Sequence, residues 1–207
     1  MPPPRDLSTS GFLSSVYIKK ENLVTKWFVF DKEKPAVLKE ATTASAGSIV
    51  KDPTRVEVAS AFIWKHFMEI MGQSDNLTCA AWHIVNLRSR TSLPLENVFG
   101  NCILKQFFLP GGPEFHELVS RLRNGIRTIN DEYILRARNG NNYLNGISKY
   151  FDLILKGELE ACGFNSWYRF PVYEVDYEWG RPVWVCPTSC PEKNVTFLLS
   201  TKDGDGI

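Results

Sequence analysis

Apolar residues recur at helical spacing from Arg55 to about Met71, where Val58, Ala59, Phe62, Ile63 and Ile70, with Phe67 at the margin, predict a helix with one buried stripe. Its start is punctuated by Thr54-Arg-Val-Glu57, a capping box in which a hydroxyl and a carboxylate each satisfy a backbone amide. A second stripe, Phe115, Leu118, Val119, Leu122, Ile126 and Ile129, predicts a long helix opened by Gly111-Gly-Pro113. Arg121, Arg123 and Arg127 fall largely off that stripe and read as a solvated face. Leu144, Ile147, Phe151, Ile154 and Leu155 predict a further helix.

Strands are expected where β-branched and aromatic residues cluster. Val24 to Asp31 reads as a strand, followed by a helix from Lys32 to about Ala46. Thr78 to Leu87 reads as a mostly buried strand, and a loop with Pro94 and Gly100 leads to a second near Asn101 to Leu109. Three short candidates follow Gly163, around Asn165–Phe170, Val183–Cys186 and Val195–Ser200. The result is an α/β chain. Residues 1–20, with Pro2, Pro3 and Pro4 and a Ser/Thr/Gly stretch, read as an extended linker. At the other end, Lys202-Asp-Gly-Asp-Gly206 is a hairpin-turn signal with a single residue beyond it. A strand left without its return exposes an edge, so the expectation is a domain over residues 21–207 that is incomplete at its C-terminus.

Composition narrows the function classes. With 207 residues, 43% hydrophobic and 23% charged, the chain can bury a sizeable core. A formal charge of +1 gives no basic field for a phosphate backbone, so nucleic acid is not an expected partner. No apolar run approaches the ~20 residues of a membrane helix. A soluble, cytoplasmic protein is the expectation. Cys79, Cys102, Cys162, Cys186 and Cys190 are odd in number and dispersed, which argues against a disulfide framework, and no set of ligands for a metal is spaced along the chain.

The three histidines, His66, His83 and His116, are each followed four residues later by a residue other than an acid. All three read as structural. No local cue supports a cysteine nucleophile.

Four segments taken in order resemble the C-terminal half of the plant BAHD acyl-CoA-dependent acyltransferases, in the vinorine synthase-like branch. Pro53-Thr-Arg-Val-Glu-Val-Ala-Ser-Ala-Phe-Ile-Trp64-Lys65 is similar to the family's capped helix. Val85-Asn-Leu-Arg88-Ser-Arg90, with Pro94-Leu95 and Phe99-Gly-Asn101, is similar to its central strand and loop. Asn165-Ser-Trp167-Tyr-Arg-Phe-Pro and Tyr173-Glu-Val-Asp176-Tyr-Glu-Trp179-Gly180-Arg-Pro182 resemble the stretch ending in the DFGWG signature.

The resemblance implies a chloramphenicol acetyltransferase-like mixed sheet covered by helices, one of the two domains of a parent enzyme and truncated at both ends. It implies acyl transfer from acyl-CoA to a hydroxyl or amine of a plant secondary metabolite such as an alkaloid, by a monomeric enzyme without metal or further cofactor. The catalytic HxxxD of the family lies in the N-terminal half, the implied partner of this chain, so no catalytic residue is expected here and the fragment alone is expected to be inactive. Asn165 and Trp167 match positions lining the substrate channel. Thr54 and Arg55 match positions that meet the phosphates of CoA. Arg88 and Asp176 match a structural ion pair, with Tyr177, Glu178, Trp179 and Gly180 completing the signature loop. Glu178 stands where the family has glycine; if that glycine needs positive φ, the loop is strained or reshaped. The alternative is a non-catalytic truncated product that binds CoA weakly or binds a partner.

Overall fold

The computed structural model describes residues 22–45, 49–72, 77–92, 94–95, 97–139, 142–188, 190 and 192–207. The reading of residues 1–20 as a linker lies outside them. Helix α1 (Glu33–Ala44) is followed by α2 (Arg55–Met71), β1 (Thr78–Asn86), β2 (Ile103–Phe108), α3 (Phe115–Arg127), α4 (Asp131–Asn139), α5 (Asn142–Leu155), β3 (Leu159–Ser166) and β4 (Val195–Leu198). The strands form one mixed sheet in the order β2-β1-β3-β4. β1 runs antiparallel to β2, with Trp82 opposite Phe107, and parallel to β3, with Ala81 opposite Cys162. β4 is parallel to β3.

Helix α2 begins as its sequence dictates. Thr54 Oγ1 accepts from the Glu57 amide at 3.2 Å, and Glu57 Oε2 accepts from the Thr54 amide at 2.7 Å. Its buried face is rotated from the expected stripe: Val58, Ala59, Ser60, Ala61 and Trp64 are buried, whereas Ile70 is 73% exposed. Trp64 wins the core position because it is large and its indole N–H finds the Cys79 carbonyl at 3.1 Å. Together with α3, whose Leu118, Val119 and Leu122 are buried, α2 covers one face of the sheet against Ala81, Cys162, Phe164 and Leu198.

The same face holds a buried polar pair. His83 Nε2 lies 3.0 Å from Ser60 Oγ, and the imidazole stacks on Phe164 at a centroid distance of 5.0 Å. Burial holds the imidazole well below its usual range, at about 4, against the opposing pull of Glu57.

Helix α5 covers part of the opposite face. Phe107 stacks on Tyr150 at 4.4 Å and 7°. Lys105 Nζ lies 4.0 Å above the Trp82 ring, and Tyr143 OH bridges the Lys105 amide and carbonyl. Gly163 sits under that ring: a Cβ there would fall 2.0 Å from Trp82, so the close approach requires glycine.

Several expectations are corrected. Residues 24–31 form no strand: they run along the surface with Val24 82% and Phe28 74% exposed, and among the described residues only Phe30 makes backbone bonds to another segment, Ile207. β3 starts six residues before Asn165, and residues 183–186 stay irregular. Asp131–Asn139 is a helix the apolar spacing did not predict; Asp131 at its start accepts from Thr91 Oγ1, Ser92 N and Ser92 Oγ, tying α4 to the loop after β1. Arg123 is not on a solvated face, because it is drawn into an ion pair with Glu57. Among the described residues, no helix is long and apolar enough to cross a membrane.

Candidate functional site

The capped start of α2 faces two loops. Residues 168–174 leave β3, and residues 200–204 leave β4, so both loops emerge at the same end of the sheet. Between them and α2 lies a cavity of about 1000 Å³. Arg55 spans it: its Nη1 donates to Tyr168 OH at 2.8 Å and to the Gly204 carbonyl at 2.9 Å. Lys39, Arg169, Arg181 and Lys202 also line it, against the acids Asp52, Glu174 and Asp203. Five cations face three acids across a space large enough for a nucleotide-sized group.

The local chemistry decides how an anion could sit there. The N-terminal charge of α2 is already met by Glu57, whose carboxylate takes the Thr54 amide and a bidentate Arg123, with Nε at 3.0 Å and Nη2 at 2.7 Å. Burial pushes the Glu57 carboxyl up, but the Arg123 and Thr54 hydrogen bonds outweigh it and hold the group below its ordinary range. Arg123 Nη2 also donates to the Asp52 carbonyl. An anion therefore meets side chains rather than an open helix terminus. Thr54 is held in the cap, its oxygen accepting from Glu57 N and its hydroxyl helping to lower the Glu57 carboxyl.

Asn165 and Trp167 lie at the end of β3 that leads into the cavity loops. Asn165 is opposite Phe197 in the β4 register, and the Trp167 ring meets Phe197 edge-on at 5.3 Å. The Trp167 amide donates to the Leu198 carbonyl at 2.8 Å, which fixes its backbone. Both side chains are half-buried, and among the described residues neither the Asn165 amide nor the Trp167 indole N–H makes a hydrogen bond.

The structure does not bring Arg88 and Asp176 together. Arg88 Nη2 donates to the carbonyls of Val98 at 3.0 Å and Gly100 at 2.8 Å, closing the loop between β1 and β2. Asp176 is exposed and accepts from the amides of Glu178 at 2.8 Å and Gly180 at 3.1 Å, closing its own loop. Each charge is satisfied locally, so the expected ion pair is replaced by two separate loop clamps. In that loop Tyr177 and Trp179 tilt together at 5.7 Å, and Glu178 has φ 76°, the left-handed conformation that glycine adopts without strain. The loop keeps the glycine shape without the glycine.

Sequence reasoning singled out Thr54 and Arg55 but missed Tyr168, Arg169, Arg181 and Lys202. Their spacing along the chain carries no pattern, and only the fold gathers them around Arg55.

The mixed sheet, its helical cover and the loop signature define an acyltransferase-type α/β unit. The chain belongs to the Transferase family, the BAHD acyltransferases, whose family model matches residues 3–207. It is 35% identical over 196 residues to stemmadenine O-acetyltransferase of Catharanthus roseus, a match covering 92% of this chain and 44% of that protein. It is 32% identical to vinorine synthase of Rauvolfia serpentina, covering 99% of this chain and 47% of that one. A crystal structure of vinorine synthase superposes with a TM-score of 0.66 at 28% identity, over 89% of this chain and 44% of that one. The fold is shared more widely: F. graminearum TRI101, crystallised with coenzyme A and deoxynivalenol, matches with a TM-score of 0.56 at 19% identity. The chain thus spans about half the length of the relatives it matches.

Proposed function

We propose that this chain is the C-terminal half of an acyl-CoA-dependent acyltransferase that moves an acyl group from acyl-CoA to a hydroxyl or amine of a plant secondary metabolite such as an alkaloid. Three relatives support the reaction and acceptor class by name: stemmadenine O-acetyltransferase, salutaridinol 7-O-acetyltransferase of Papaver somniferum and an N-malonyltransferase of Strychnos nux-vomica. The parent enzyme is read as a cytoplasmic monomer whose other half faces this one across the substrate channel.

The observation that carries the reading is the cation-lined cavity at the start of α2. The diphosphate and 3′-phosphate of CoA are multiply charged, and Arg55, Arg169, Arg181 and Lys202 offer planar and point cations to them. The pantetheine arm would then run toward Asn165 and Trp167, at the end of β3 adjoining the cavity loops.

The chemistry divides between the two halves. A histidine of the other half takes the proton of the acceptor hydroxyl or amine, and the oxygen or nitrogen attacks the thioester carbonyl carbon. Negative charge develops on the carbonyl oxygen, and a donor aimed at it lowers the barrier. The unused Asn165 amide or Trp167 indole N–H suits that task. Collapse of the tetrahedral species breaks the C–S bond and releases CoA as thiolate, which takes up a proton.

Calorimetric titration of the chain with CoA tests the phosphate site. CoA is expected to bind with an affinity that falls as salt rises, and Arg181→Ala and Lys202→Ala are each expected to weaken it about fivefold, equivalent to roughly 1 kcal/mol. Pantetheine, which lacks the phosphates, is expected not to bind measurably. Absence of CoA binding, or equal binding of pantetheine, contradicts the assignment.

A further inference from the structure

Arg55 is held by one nitrogen. Both hydrogens of its Nη1 are spent, one on Tyr168 OH at 2.8 Å and one on the Gly204 carbonyl at 2.9 Å. Among the described residues it makes no ion pair and no further hydrogen bond. Nε–H and the adjacent Nη2–H, side by side on one edge of the planar fork, are therefore left over. The phenol has a spare donor as well: Tyr168 OH accepts from Arg55, and among the described residues its own proton has no acceptor. Both side chains line the cavity at the start of α2.

The supports of this pair are themselves tied down. Arg169 takes a left-handed backbone, φ 65°, with its amide bonded to Ser200 Oγ at 2.9 Å, and its guanidinium lies 5.6 Å over the Tyr168 ring. A residue other than glycine keeps that conformation only where its surroundings impose it. Gly204, φ 75°, closes the turn after β4 with its amide on the Thr201 carbonyl at 2.9 Å, and Asp203 takes the Asp205 amide at 3.1 Å. The loops after β3 and β4 thus converge on one guanidinium.

We propose that Tyr168 and the Gly204 carbonyl aim Arg55 so that its Nε–H and Nη2–H, with the Tyr168 hydroxyl, form a three-donor socket for a terminal phosphate monoester, the 3′-phosphate of CoA. The number of oxygens selects the group. A phosphate monoester presents three unesterified oxygens, one for each donor, and carries about two negative charges at pH 7. Each phosphorus of the CoA diphosphate is esterified on two sides and presents only two oxygens. Arg181 and Lys202, elsewhere on the cavity wall, are left for the diphosphate. The inference rests on the cavity being the CoA site, and it adds which residues read the 3′-phosphate.

The test is calorimetric titration of the 207-residue chain and its variants with CoA and with dephospho-CoA, which lacks only the 3′-phosphate. Tyr168→Phe keeps the ring under Arg169 and removes the hydroxyl. It is expected to weaken CoA about tenfold, as the loss of a hydrogen bond to a charged group does, and to leave dephospho-CoA unchanged. The salt dependence of CoA binding is expected to stay the same, because no charge is removed. Arg55→Lys, which keeps the charge and loses the fork, is expected to weaken CoA at least as far, again without affecting dephospho-CoA. Melting temperatures equal to that of the unsubstituted chain are expected for both variants. CoA binding undiminished in Tyr168→Phe, or both ligands weakened equally, overturns the inference and leaves the CoA site in place. If the unsubstituted chain binds neither ligand, the reading of the cavity falls and the inference with it.

Discussion

Arg123 on α3 closes a bidentate grip on Glu57 at the first turn of α2, with Nη2 2.7 Å from Oε2 and both side chains nearly buried. One residue thus caps a helix and joins two. Arg123→Ala strands a buried carboxylate and is expected to destabilise the fold by about 3 kcal/mol, read by urea denaturation. Glu57→Gln with Arg123 intact is expected to cost less, because the amide still accepts from the Thr54 amide. Because the Glu57 carboxyl is held below its usual range, the stability it adds is present above about pH 4.5 and is lost as pH falls through the lower folded value.

His83 gives a second, separable pH dependence. The folded imidazole titrates near 4 and the unfolded one near 6.5, so stability is complete above about pH 6.5 and falls as pH drops toward 4. The full loss is about 3 kcal/mol, by the linkage of roughly 1.4 kcal/mol per unit. His83→Gln is expected to flatten the curve between pH 6.5 and 4.5. A variant with the same slope there would show that another group is responsible.

Arg88 and Asp176 serve separate loops, so they are expected to act independently. A double-mutant cycle of Arg88→Ala and Asp176→Ala should give a coupling below about 0.5 kcal/mol. A coupling of several kcal/mol would restore the ion pair that the family resemblance implies.

Glu178 holds a left-handed backbone with a side chain, which costs on the order of 1 kcal/mol relative to glycine. Glu178→Gly is expected to raise the melting temperature slightly, or leave it unchanged where the added freedom of the unfolded chain offsets the relief. Glu178→Ala, which keeps the strain, is expected to be no more stable than the parent. If alanine stabilises as much as glycine, charge rather than backbone conformation is the cause.

The elements with strong local signals were legible before the fold was seen. α2 carries both its stop-and-start chemistry and its period, and its bounds are those read from the Thr54 capping box to Met71. α3, α5, β1 and β2 follow for the same reason. Residues 24–31 have strand composition, but a strand exists only with a partner, and composition does not say where the partner is. Arg123 looked solvated because helical spacing is blind to what the neighbouring helix presents. At the site, Arg55 and Thr54 were found through the family's motif, whereas Arg169, Arg181 and Lys202 lie far apart in sequence and converge only when β3 and β4 are laid side by side.

The central claim, that this chain is the CoA-holding half of a two-part acyltransferase, is tested most directly by acyl transfer from acetyl-CoA to an alkaloid alcohol. The measurement compares the chain alone with the chain joined to the N-terminal half of stemmadenine O-acetyltransferase, complex formation being checked by size-exclusion chromatography. The expected result is no turnover above buffer for the chain alone, since a missing general base removes roughly 10²–10⁴ of the rate. Turnover is expected to appear in the complex and to fall when Trp167→Phe removes the indole N–H. Turnover by the chain alone, or an intact complex that transfers nothing, would contradict it.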